Sequence, residues 1–141
     1  MEESGETDKG KKKIYKVKTI SVPFTLEEIK ENIPIATNTP SKPSKEQLIK
    51  EAFHFHSQGN IQEATKYYKY FINQGFKDHR VFSNYGVILK DHGNLKEAEL
   101  HTRKAIELKP DFADAHSNLG IILRNLGKLQ DAELSYRKAI E

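Results

Sequence analysis

The six histidines, His54, His56, His79, His92, His101 and His116, offer this chain its widest chemical repertoire. A metal site needs at least two of them on one face. His54 and His56, the closest pair, are two residues apart, which on a helix separates them by about 200° around the axis and prevents joint ligation. The other four are scattered. No Gly-rich phosphate loop follows a strand-like run, and no serine or carboxylate pair stands in a recognisable nucleophile setting. Cysteine is absent, which excludes thiolate chemistry and disulfides. The chain therefore reads as non-enzymatic, with no catalytic residue, no metal and no cofactor. A different chemistry, nucleic-acid binding, is suggested by KGKKKIYKVK, in which six lysines between Lys9 and Lys18 flank an aromatic residue. The net charge of +3 is far below that of a dedicated nucleic-acid binder, so a solvated charged tail is the preferred reading.

With 141 residues the chain has room for one compact domain or a short repeat array. Its 36% hydrophobic and 30% charged residues fit a water-soluble protein. No stretch approaches the ~20 apolar residues of a membrane span. The start, MEESGETDKGKKK, has no apolar run behind it and is not a secretory signal, so a cytoplasmic location is expected.

Residues 1–44 are polar and irregular, and read as a flexible leader. IYKVKTISV alternates like a strand but has no second strand-like run to pair with. In FTLEEIKENI, Thr25 and Glu28 form a capping-box pattern and Leu26, Ile29 and Ile33 share a helical face, which predicts a short helix over 25–33. TNTPSKPSK then reads as a linker.

From Lys45 onward the chain repeats itself. Residues 82–107 lie over residues 116–141 with 15 of 26 positions identical, at an offset of 34. Another step back of 34 reaches LIKEAFHFHSQGNIQEATKYYKYFIN, which keeps the pattern with less identity. The repeats run 45–78, 79–112 and 113–141, the last incomplete. Gly59, Gly93 and Gly127 fall at one point of each unit, between two runs of helical periodicity, where a left-handed residue lets the chain reverse. Two columns stay small: Ala52, Gly86 and Gly120, then Ala64, Ala98 and Ala132. Pro110 should end a second helix, Asp111 should cap the helix after it, and Ser44 with Gln47 offers another capping box. Gly75 stands in for the proline in the first unit.

One such helix pair cannot bury its own apolar faces, so successive pairs must stack. The 34-residue period, the small columns, Gly93, Gly127, Tyr68, Tyr136, Ala105, Ala139 and Pro110 together resemble the tetratricopeptide repeat (TPR) family in its bacterial form. The resemblance spans 45–141. It implies an all-α, right-handed α-solenoid of helix-turn-helix units, whose first helices line a concave face used for protein or peptide partners.

It also implies that Asn84 and Asn118 face that groove, as in the asparagine ladder of repeat arms of protein glycosyltransferases. An amide both donates and accepts, so it can pair with a peptide unit whatever its side chain. Lys50 holds this position in the first unit. His56, Lys90 and Arg124 form a second column, with Arg80 nearby, that would favour acidic or C-terminal carboxylate ligands; Asp91 and Asp114 dilute it. Val87 and Ile121 complete the expected groove. The family's carboxylate clamp is not expected, because Ile49, Phe53 and Asp114 occupy its positions. The leading expectation is a non-catalytic protein-interaction scaffold without a small-molecule substrate or membrane role. The alternative is the repeat arm of a larger bacterial protein carrying a glycosyl-, sulfo- or methyltransferase domain. The last pair, with parts of Leu119, Leu123, Leu134 and Ile140, is expected to leave an uncapped face that is either the edge of a longer array or covered by another chain, so that the isolated protein self-associates or is marginally stable.

Overall fold

The computed structural model describes residues 41–141, and the helix expected over 25–33 lies outside the described residues. Ser44–Glu141 form one compact unit. It contains six helices and, among the described residues, no strand: α1 Lys45–Ser57, α2 Ile61–Asn73, α3 His79–Asp91, α4 Leu95–Leu108, α5 Ala113–Asn125 and α6 Leu129–Ile140. The fold is an all-α helical solenoid in which α1 packs on α2, α3 on α4 and α5 on α6, and each pair stacks on the next.

The reversal inside each pair has one geometry. Gly59, Gly93 and Gly127 have φ of 78°, 84° and 81°. At each, the following N–H reaches back five residues: Asn60 to the Phe55 carbonyl at 2.9 Å, Asn94 to Leu89 at 2.8 Å and Lys128 to Leu123 at 2.8 Å. These are Schellman closures, which satisfy the orphan carbonyls of the first helix. The same three residues are also the N-caps of the second helices, so each turn is as short as it can be. The last turn of α2 closes on Gly75, as expected.

Entry into the array is fixed by the Ser44–Gln47 capping box, with the Gln47 N–H donating to Ser44 Oγ at 3.1 Å and the Ser44 N–H to Gln47 Oε1 at 2.8 Å. Asp78 caps α3 through the N–H groups of Arg80 and Val81. The expectation for Asp111 is corrected. The N-cap of α5 is Phe112, which makes no side-chain cap bond, and the Asp111 carboxylate instead takes the Lys109 ammonium at 3.1 Å. Asp111 stands one residue too early, inside a turn closed by the Phe112 N–H on the Lys109 carbonyl.

The core sits within and between pairs. Phe82, Ala105 and Ala115 join the second pair to the third, with Ile72, Ile106, Leu108 and Phe112 packed around them. Leu119, Leu123 and Ala132 form the core of the third pair. Leu119 and Leu123 are thus interior, contrary to the expectation of an uncovered face; Leu134 and Ile140 are exposed.

Candidate groove on the first helices

The first helices α3 and α5 touch, whereas the second helices α4 and α6 approach one another less closely. A stack whose members meet more closely on one side curves toward that side, which puts α3 and α5 on its inside.

Tyr68 on α2, fully buried, organises the start of this face. Its hydroxyl accepts from Asn84 Nδ2 at 3.3 Å and lies 2.8 Å from His56 Nδ1. With Asn84 as donor, the tyrosine proton is free to go to His56 Nδ1, which makes His56 a neutral acceptor. Burial favours the neutral form of both rings. Burial pushes the Tyr68 phenol up to about 12 against the Asn84 bond that lowers it. Burial also holds His56 below 6.5 against the nearby Asp91. His101 on α4, stacked on Phe82 and tilted on Tyr85, is lowered by burial as well, against Glu97.

A histidine with a depressed folded-state pKa binds protons more tightly when unfolded, so its stabilising contribution is present above the unfolded value of 6.5 and is lost as the pH falls through the folded-state value. Stability measured by urea unfolding is therefore expected to decline as the pH falls from about 6.5 to the lower folded-state value. A chain carrying His56→Gln and His101→Gln should show a flatter profile. An unchanged slope would contradict the assignment.

The remaining expected site residues separate into two groups. Asn118 Nδ2 donates to Ser83 Oγ at 3.4 Å, tying α5 to α3. Each asparagine thus spends an N–H on the scaffold, and neither Oδ1 has a bond among the described residues. Val87 and Ile121 are half-buried beside them. The cationic column is less uniform than its composition suggests. Burial disfavours the charged form of His56, and Lys90 pairs with Asp91 at 2.8 Å. Arg80 makes a two-point contact with Asp78, at 3.1 and 2.8 Å, while its guanidinium carbon lies 5.3 Å from the Phe53 ring centre. Lys50 and Arg124 are exposed and form no ion pair among the described residues. Reading by residue type does not single out Phe53, which meets Arg80. Its position is that of Val87 and Ile121 shifted by 34, so the repeat register carried the signal.

Among the described residues no cluster of His, Asp or Glu could hold a metal ion, and no helix is long and apolar enough to cross a membrane. Residues 79–112 and 113–141 each match a family model described as tetratricopeptide repeat. No curated protein matches the chain. Such repeats are generally protein-interaction modules and typically non-catalytic. With two successive repeats matched and a third helix pair of the same architecture before them, the chain belongs to the tetratricopeptide repeat family.

Proposed function

We propose that this chain is a non-catalytic scaffold that holds an extended peptide across α1, α3 and α5. The observation that carries this reading is a recurring set on adjacent first helices. An amide, an aliphatic and a base follow at three-residue steps, Asn84, Val87 and Lys90 on α3, then Asn118, Ile121 and Arg124 on α5. None of the six is fully buried. Packed helix axes lie about 8–10 Å apart, close to the rise of three residues of extended chain. One asparagine per helix would therefore meet roughly every third peptide unit. The unbonded Oδ1 atoms suit the ligand's N–H groups, and the second N–H of each amide suits its carbonyls. Arg124, the unneutralised base, favours an acidic or carboxylate end at α5 and attracts it most strongly at low salt.

The test uses peptides selected on the full chain from a random display library. In fluorescence anisotropy, Asn84→Ala with Asn118→Ala is expected to weaken binding by about tenfold or more, the loss of two modest hydrogen bonds. Since Asn84 also supports Tyr68, Asn118→Ala alone is compared at matched thermal stability. Unchanged affinity in both variants would rule out the groove mechanism.

A further inference from the structure

The units are related by a 34-residue shift, so the crevices between neighbouring second helices can be compared position by position. In the second pair, α4 packs a ring of its own against α3. The His101 ring stacks on Phe82 at 5.8 Å and 23°, and lies 5.0 Å from Tyr85. One unit later these positions are Ser135, His116 and Leu119. Ser135 has no ring to contribute. His116 stays at the cleft wall, with Nε2 2.7 Å from the Pro110 carbonyl oxygen. An open cleft of about 350 Å³ results between α4 and α6, with Ile106, Leu119 and Leu134 supplying its apolar lining. That volume falls at the small end of ligand-binding cavities, about 300–1,000 Å³.

The charges at the rim decide what suits it. Arg103 is held by Glu99 at 2.9 Å, and Glu107 by Lys104 at 2.7 Å. Lys138, which also lines the cleft, has no ion pair among the described residues. The cleft therefore combines a vacancy that the same fold fills elsewhere with an aromatic ring and one uncompensated positive charge beside it.

We propose that this cleft is a second protein-interaction site, on the second helices and separate from the groove, that takes an aromatic side chain adjacent to a carboxylate on a partner protein. The ring occupies the place that His101 fills one unit earlier, and the carboxylate meets Lys138. An anchoring ring in an apolar pocket provides most of the affinity, and the exposed charge pair provides selectivity.

The probe is acetyl-Phe-Asp-amide, titrated into the full chain while the amide resonances of Leu119, Leu134 and Ser135 are followed by NMR. Saturable shifts are expected at these residues, with a dissociation constant on the order of 1 mM for so small a probe. Acetyl-Ala-Asp-amide should produce none, and acetyl-Phe-Lys-amide should bind about threefold more weakly, the effect of one exposed charge pair. Ser135→His places the ring of the preceding unit in the cleft and should abolish the response. Leu134 is 60% exposed, so Leu134→Glu tests the same lining without touching the interior and should also abolish it. Lys138→Glu should reverse the preference between the Asp and Lys probes. Shifts that fail to saturate, or that persist in folded Ser135→His and in Leu134→Glu, would overturn the proposal. Concentration-dependent shifts at the same residues without probe, removed by Ser135→His, would assign the cleft to a second copy of this chain and overturn the partner assignment.

Discussion

Tyr68→Ala is expected to destabilise the array by about 3–5 kcal/mol, the range for deleting a large ring from a packed interior. The ring is fully buried and meets Phe53 at 6.4 Å, Tyr85 at 6.3 Å and His56 at 5.8 Å, so it touches α1 and α3 as well as its own helix. Its hydroxyl is the shared partner of His56 and Asn84. Because stability in a solenoid is a sum of unit and nearest-neighbour terms, the loss should be local. In hydrogen exchange, α1 and α2 should lose protection while α4 to α6 keep theirs. Tyr68→Phe keeps the ring and removes only the hydroxyl, at an expected cost of about 1–2 kcal/mol, because two half-buried polar groups lose their partner. A single cooperative loss of protection along all six helices would show that this contact does not define a boundary between units.

The same residue illustrates what could be read without coordinates. The 34-residue register placed the glycine turns, the small columns and the packed tyrosine positions, because each follows from a residue type that only one backbone or packing role tolerates there. Helix identity and pairing were therefore legible. The destination of polar side chains was not. Residue type and register assign Asn84 to the expected groove, whereas its amide bond to the Tyr68 hydroxyl needs the direction of that hydroxyl to be known. Arg80 and Lys90 read as cations, yet each meets an aspartate on its own helix or cap, Asp78 and Asp91. Asp111 read as a cap because its type is right, while the position is set by where the turn after Lys109 ends. Side-chain pairing between adjacent residues depends on rotamers, and residue type leaves several open.

The Gly86 column allows the closest contact in the second pair to be tested. An alanine in a helix is normally better than glycine by about 1 kcal/mol. At Gly86 the sign should reverse. A Cβ there would collide with Thr102 Oγ1 on α4, and the Ala98 carbonyl oxygen at 3.4 Å leaves little room to retreat. Overpacking of this kind costs about 1–3 kcal/mol, so Gly86→Ala is expected to destabilise despite the gain in helix propensity. Thr102 is fully buried, and its Oγ1 has no hydrogen-bond partner among the described residues. Removing that hydroxyl therefore sacrifices packing but no hydrogen bond. Gly86→Ala with Thr102→Ala should recover most of the loss, and a double-mutant cycle by urea unfolding should give a favourable coupling of about 1–2 kcal/mol. The third pair provides the contrast. A Cβ on Gly120 would meet the Tyr136 ring at 2.5 Å, but Tyr136 is only half-buried and its ring has solvent to swing into. Gly120→Ala should consequently cost less than Gly86→Ala, although both glycines occupy the same column. Equal costs would mean that the helix backbones, rather than the facing side chains, set the separation within each pair.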